Sequence, residues 1–414
     1  MVYPKYIYHN HKKHIDMSFI SQRIERLAVS ATLAMSQKSA ELKAQGIDVI
    51  NMSVGEPDFD TPDHIKEAAK RAIDDNFSRY SPVPGYLSLR KAICGKLLNE
   101  NNIEFTPDQI VVGNGAKQEL ANALLATINP GDEVIIPTPA WVSYVEMVKL
   151  AEGVSVEVAA GIENNFKITP AQLEAAITPR SKMIMLNSPS NPTGSVYTYE
   201  ELKGLAEVLA KHPQILILAD EIYEHINFVE KVHSISEFPE VRDRVIIVNG
   251  VSKAYAMTGW RIGYLAAPLP IAKAVSKLQG QYTSGASSIA QKAAEAAYTG
   301  SQQCIEDMRL AFERRRDLIV ELAKEIPGWE VNRPEGAFYL FPKVDSYVGK
   351  IKPDGSKIEK VADYVMYILE EAHVACVDGE AFCAPGYMRL SYATSDDNIR
   401  EAMRRIAEAS AKLK

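Results

Sequence analysis

Val251-Ser252-Lys253-Ala254-Tyr255-Ala256-Met257-Thr258-Gly259-Trp260-Arg261-Ile262-Gly263 is the stretch on which the reading of this chain turns. An apolar run, Val245-Ile246-Ile247-Val248, leads into it, and a second one, from Ile262 to Ala266, leads out. The segment therefore joins two strands. It places Lys253 at the mouth of a buried strand, where desolvation penalises an ammonium group unless the group is paired or used covalently. A lysine with a depressed pKa can attack an aldehyde and form a Schiff base. A solitary lysine after a strand is ordinarily a surface group. Here its company elsewhere in the chain argues for chemistry.

Working outward, seven short apolar runs read as strands, at 110–112, 133–136, 154–158, 182–186, 215–219, 245–248 and 262–266. Helical runs such as 117–127 and 200–211 lie between many of them. This alternation predicts an α/β fold with a largely parallel sheet covered by helices on both faces. In such sheets ligands sit at the carboxyl ends of the strands, where the chemically capable residues of this chain also fall. Before the sheet, 21–45 reads as one amphipathic helix closed by Gly46, and 49–53 as a short strand. Thr61-Pro62 opens another helix, and 87–99 is helical. After the sheet, 287–325 is helix-rich, and its run Arg314-Arg315-Arg316 reads as a solvated helix face. The remainder alternates strand-like 336–341, helix 358–372, strands 374–377 and 388–392, and a final helix 396–412. The expected division is a disordered extension (1–16), an N-terminal part of a small domain (17–60), a large domain (61–300) and a small C-terminal α+β domain (301–414).

A chain of 414 residues is long for a single core, which supports two domains. Its net charge of −7, with no long basic block, argues against nucleic acid as a partner. No apolar run approaches the roughly 18 residues of a membrane span. The four cysteines show no CxxC spacing, and a reducing cytoplasm fits them. His9, His11 and His14 belong to the extension rather than to a metal site, and Met17 could serve as a start.

Several further motifs carry chemistry. Gly113-Asn114-Gly115-Ala116-Lys117-Gln118 follows a strand and opens a helix, whose free N–H groups and dipole favour a phosphate. It matches neither GxGxxG nor GxxxxGK[ST], so it gives no support to nucleotide binding. Ser252 and Arg261 could add phosphate contacts. Asn187-Ser188-Pro189-Ser190-Asn191-Pro192-Thr193-Gly194 is a rigid loop that admits a cis peptide and presents Asn191 as a donor. The apolar run 215–219 ends in Asp220, an acid that needs a cation or donor, and Tyr223 follows three residues on. Trp141 offers a ring for stacking. A lysine for an aldehyde, an acid for a pyridinium and donors for a phosphate together fit pyridoxal phosphate.

On the motifs GEPDFDTP (55–62), NSPSNPTG (187–194), DEIYE (220–224), SKAYAMTGWRIG (252–263) and MRLSY (388–392), the sequence resembles the class I pyridoxal-phosphate aminotransferases. Within them it is similar to the aspartate aminotransferase branch typical of bacteria, from about Ile20 to the C-terminus. The resemblance implies fold type I of the pyridoxal-phosphate-dependent transferases and ping-pong transfer of an amino group to a 2-oxo acid such as 2-oxoglutarate. It implies that Lys253 carries the cofactor and moves the proton, that Asp220 holds the pyridine nitrogen protonated, and that Tyr223 and Asn191 bond the phenolic oxygen. Trp141 would stack on the ring. Ala116, Lys117, Ser252 and Arg261 would surround the phosphate, Lys117 through its backbone, with Tyr80 reaching the phosphate of the partner in a homodimer. Arg389 would bind the substrate α-carboxylate and Gly55 would line the same pocket.

Aspartate needs a second cation. Some relatives place a lysine shortly before the Ser-Ala-Thr of the first helix, where this chain has Ala28, and 279–284 offers no arginine. Arg23 and Arg26 are the nearby substitutes. An aminotransferase for aromatic or neutral amino acids, or a carbon–sulfur β-lyase on the same fold, is the competing expectation. A transcriptional sensor would need a DNA-binding module larger than the short extension.

Overall fold

The computed structural model describes residues 19–414, so the readings placed on 1–16 and on Met17 lie outside the described residues. The seven apolar runs form one sheet: β1 (Ile110–Gly113), β2 (Glu133–Thr138), β3 (Val154–Ala159), β4 (Ser181–Asn187), β5 (Leu216–Asp220), β6 (Val245–Gly250) and β7 (Gly263–Ala266). Their order is β1-β7-β6-β5-β4-β2-β3. Neighbours from β6 to β3 run parallel, whereas β7 is antiparallel to both β1 and β6. The link from β6 to β7 is the Lys253 segment itself, which carries only a short 3-10 turn and no crossover helix to return the chain parallel.

Side chains alternate between the two faces of the strands. Ile135, Ile184, Ile217 and Ile247 enter one core, while Val134, Met185, Leu218 and Ile246 enter the other. Burial on both faces explains why these strands read as continuous apolar runs. The register aligns Asn187 with Asp220 and Asp220 with Val248, so β4, β5 and β6 end together on one edge of the sheet. Helices α1 (Ala116–Thr127), α2 (Ser143–Leu150) and α3 (Leu269–Tyr282) pack nearby.

A separate core joins the two ends of the chain. Ile50 and Met52 pack with Phe312 of α4 (Gln303–Lys324), Phe338, Leu390 and Ile406 of α5 (Asp396–Ala411). Strand Ile50–Asn51 pairs in parallel with Val374–Ala375. Beside it lies an antiparallel sheet in which β10 (Met388–Ser391) sits between β8 (Tyr339–Leu340) and β9 (Val377–Asp378).

Four local expectations are corrected. The helix over 21–45 is two pieces, Gln22–Glu25 and Ala31–Ala44, because the Ala28 N–H donates to Glu146 Oε2 (2.8 Å) and Ser30 is extended. The strand over 374–377 divides at Cys376 between two sheets. The helix over 358–372 is an α-helix only for Val361–Tyr367, then a π turn to Ala372. Arg314-Arg315-Arg316 is not a solvated face. Successive helical residues point about 100° apart, so Arg314 is exposed while Arg315 and Arg316 are 7% and 3% exposed. Arg315 makes a bidentate pair with Asp58 (2.7 and 2.9 Å), and Arg316 donates to the Pro334 carbonyl and Asp317.

Candidate active site

At the carboxyl edge of β4, β5 and β6 lies a cavity of about 380 Å³. Its lining includes Gly55, Ala116, Lys117, Trp141, Asn191, Asp220, Tyr223, Ser252, Lys253, Arg261 and Arg389. Of the expected site residues only Tyr80 stands apart from it, with its side chain 96% exposed.

Lys253 follows β6 and donates from Nζ to the Gly55 carbonyl (2.5 Å). The Tyr223 and Phe338 ring centres lie 5.6 and 5.8 Å away. Burial lowers its pKa to about 8. Gly55 is required here, since a Cβ would meet Tyr339 Oη at 2.3 Å. Asp220 ends β5 and accepts from Tyr144 Oη (2.7 Å) and, more weakly, from the Ile222 N–H (3.3 Å). Burial raises its pKa to about 6, although the Tyr144 bond, the Ile222 N–H and the Lys253 charge all oppose the shift. One cavity thus holds a buried acid met by neutral donors and a lysine met by a carbonyl.

Where α1 begins, Gly115 has φ +89°, and a Cβ there would lie 2.5 Å from Arg261 Nη2. Arg261 donates to the Thr258 carbonyl (2.8 Å) and the Asn114 carbonyl (3.3 Å). Gly263 lets this turn close, because its Cβ would meet the Ala116 nitrogen at 2.1 Å. A guanidinium held by carbonyls, the first N–H groups of α1 and the Ser252 hydroxyl thus form a cradle suited to an anion.

Arg389 is on the central strand β10 and is 1% exposed, so it is no edge-strand surface arginine. Nη1 donates to Asn191 Oδ1 (2.9 Å) and Nη2 to the Ser53 carbonyl (2.6 Å), while Nε has no partner. The Tyr339 and Phe382 rings flank the guanidinium at 4.5 and 4.9 Å. Tyr339 Oη also hydrogen-bonds Tyr223 Oη (2.7 Å).

Lys117 stands in the first turn of α1, with its side chain turned into the cavity. Its ammonium stands over the Trp141 ring (4.9 Å), and burial followed by the Arg261 charge lowers its pKa. Ser30 and Thr32 line the same region, whereas Arg23 pairs with Glu152 and neither it nor Arg26 lines the cavity. The sequence reading also missed Tyr144 and Tyr339. Tyr144 has a faint signal, three residues after Trp141; Tyr339 sits in an apolar run and has none. Among the described residues one acid–histidine group, Glu100, Glu224 and His225, has metal-ligand geometry. Lys96 is already its cation, paired with both acids. Burial opposes the charge on Glu224, but the Lys96 ammonium outweighs it and holds the acid down to about 2.

These residues fit pyridoxal phosphate. Among the described residues neither Lys253 nor Asp220 makes a direct ion pair, an anion cradle flanks both, and a ring could lie between Trp141 and the sheet edge.

The family pattern described as aminotransferase class I and II matches residues 47–406. The chain is 50% identical over 392 residues to the aspartate/prephenate aminotransferase of Cereibacter sphaeroides, covering 94% of this chain and 98% of that one. The crystal structure of the aspartate aminotransferase from Rhizobium meliloti superposes with a TM-score of 0.93 at 44% identity, over 95% of this chain and 99% of that one. The Thermus thermophilus aspartate aminotransferase with maleate gives 0.89 at 40% identity, over 95% and 100%. The architecture is fold type I of the pyridoxal-phosphate-dependent transferases. By family pattern, by relatives at half identity and by fold, the chain belongs to the class I and II aminotransferases.

Proposed function

We propose that this aminotransferase holds pyridoxal phosphate in the cavity and transfers the amino group of aspartate to 2-oxoglutarate. The observation that carries the dicarboxylate reading is that, beside Lys253 and Arg261, two further cations line the same cavity, the Arg389 guanidinium and the Lys117 ammonium. An α-carboxylate takes the first and a side-chain carboxylate the second, aided by the hydroxyls of Ser30 and Thr32. The solved relative with maleate, itself a dicarboxylate, is in keeping with this.

Lys253 would carry the cofactor, Asp220 would meet its ring nitrogen, and Tyr223 and Asn191 its phenolic oxygen. Trp141 would cover the ring, with Ala116, Lys117, Ser252 and Arg261 about the phosphate. Bound there, the cofactor supplies an electron sink that lets the substrate Cα release its proton. Lys253 Nζ, with a pKa near the working pH, takes that proton and returns it. Arg389, braced by Asn191 and the Ser53 carbonyl, fixes the carboxylate so that the Cα–H bond faces Lys253. Tyr144 holds the Asp220 carboxylate in place and lowers the cost of its charge.

The exposed Tyr80 supports a homodimer in which it completes the partner's phosphate site. The separate cores support the expected small domain, its described part being 19–60 and 301–414, beside a large domain 61–300. A cytoplasmic location fits four free cysteines and the lack, among the described residues, of any helix long and apolar enough to cross a membrane.

The test is a half-reaction without keto acid. The purified protein is mixed separately with aspartate, glutamate, alanine, tyrosine and cysteine, and the change of cofactor absorption from aldehyde to amine form is followed. Fast conversion by aspartate and glutamate alone is expected. Conversion mainly by neutral or aromatic amino acids, or steady ammonia release from cysteine, would overturn the dicarboxylate reading.

A further inference from the structure

One buried titratable group has no part in the chemistry above. Glu119, in the first turn of α1, is 0% exposed, and neither of its carboxylate oxygens has a hydrogen-bond partner. Three residues on, Asn122 is also 0% exposed and its Oδ1 is likewise unpartnered. The orientation of Asn122 is not free. Gln279 Nε2 donates to the Val83 and Val112 carbonyls (2.8 and 2.9 Å), which makes Gln279 Oε1 an acceptor. Asn122 must turn its Nδ2 toward that oxygen (3.2 Å), leaving Oδ1 on the other side without a donor. Asn122 stands beside Glu119, residues i and i+3 being neighbours on a helix, and its side chain offsets the burial of an ionised carboxylate only in part. A proton on Glu119 removes that buried charge.

The acid also backs the cradle. A Cβ on Gly113 would lie 1.9 Å from Glu119 Oε1, so the carboxyl rests against the backbone of the turn 113–115, which Gln118 Oε1 further holds by accepting from the Asn114 N–H (2.6 Å). We propose that Glu119 stands in the folded protein as a neutral carboxylic acid, and that it positions the phosphate cradle, so that loss of its proton loosens the cofactor.

Among the described residues no cationic side chain pairs with an anion at this position. On α3, Lys273 and Lys277 are exposed, and Tyr282 is exposed as well. On α2, Glu146 and Lys149 bond each other and Tyr144 bonds Asp220. Asp220 of β5 and Tyr264 of β7 are the titratable groups of the strands packed on α1, Lys117 is turned to Trp141, and Arg261 is held by carbonyls. Burial, only partly offset by Asn122, raises the Glu119 pKa to about 8.

The proposal rests on the pyridoxal-phosphate reading for its effect on the cofactor, and its test separates the two. Infrared spectra of the purified holoenzyme at pH 7, wild type minus Glu119→Gln, should show a protonated-carboxyl C=O band that disappears from the wild type as pH passes about 8. The difference spectrum excludes Glu221, a second buried acid with a raised pKa. Dissociation constants for pyridoxal phosphate and for phosphate-free pyridoxal are then measured at pH 7 and pH 9. The ratio of the two should worsen with pH by roughly tenfold more in the wild type than in Glu119→Gln, one pKa unit being a factor of ten. Absence of the infrared band overturns the neutral acid. An identical pH course in both proteins overturns the positioning role, and failure of both to bind pyridoxal phosphate overturns the cofactor reading while the band still decides the protonation state.

Discussion

Arg389 Nη1 donates to Asn191 Oδ1 at 2.9 Å, which ties the middle strand of the small sheet to the proline-rich loop after β4. The guanidinium is therefore oriented before any substrate arrives. Arg389→Lys keeps the charge but loses the planar fork. KM should rise for every amino-acid substrate by a factor corresponding to about 2–5 kcal/mol, and Asn191→Ala should cost about 1–3 kcal/mol. Steady-state kinetics check this. A change in kcat at constant KM would remove Arg389 from carboxylate binding.

Lys117→Met should act selectively. Charge-assisted hydrogen bonds contribute about 1.5–3 kcal/mol, so KM for aspartate and glutamate should rise roughly ten- to a hundredfold while that for alanine is unchanged. An equal loss for all three substrates would place the ammonium on the phosphate instead.

Lys253→Ala should reduce transamination by more than about 10⁴-fold, since it removes both the proton carrier and the cofactor's anchor. Spectroscopy of the purified variant should show no pH-titrating cofactor band. Retained turnover would refute the assignment.

Asp220 gives a pH prediction. Its folded pKa, about 6, lies above the ordinary 3.8, so the native state holds a proton that the unfolded state has lost between those values. Stability of the cofactor-free protein therefore falls as pH rises through that window, by about 2–3 kcal/mol from this group. Asp220→Asn should lack that fall and be more stable above pH 6, yet be slow in the half-reaction. Thermal melts from pH 4 to 8 would show a parallel wild-type and variant profile if the acid were already ionised on folding.

The bidentate pair of the buried Arg315 with the exposed Asp58 holds the loop that carries Gly55 against α4. Asp58→Ala leaves Arg315 with only its longer contact to Asp396 (3.6 Å), which should destabilise the protein by about 1.5–3 kcal/mol in denaturant melts. Asp58→Asn should cost less, because it keeps an acceptor. Equal stability of all three proteins would show that water has replaced the acid.

The strands, their order of appearance and most of the site were legible in the chain because the signals are local. A strand buried on both faces reads as a short apolar run, and Lys253, Asp220 and Asn191 each follow such a run directly. Contacts between distant segments carry no local mark. The burial of Arg315 depends on Asp58, 257 residues away, and Arg389 meets Ser53 across 336 residues. The break at 26–30 depends on Glu146, and the donor to Asp220 is Tyr144 on another helix. Likewise, the side to which Lys117 turns is set by Trp141 and by repulsion from Arg261, and these are adjacent only in the folded chain. By itself the sequence determined which residue types stand at which strand ends. Only the tertiary structure decided which charges are paired and which line the cavity, because burial and pairing are properties of segments that meet only on folding.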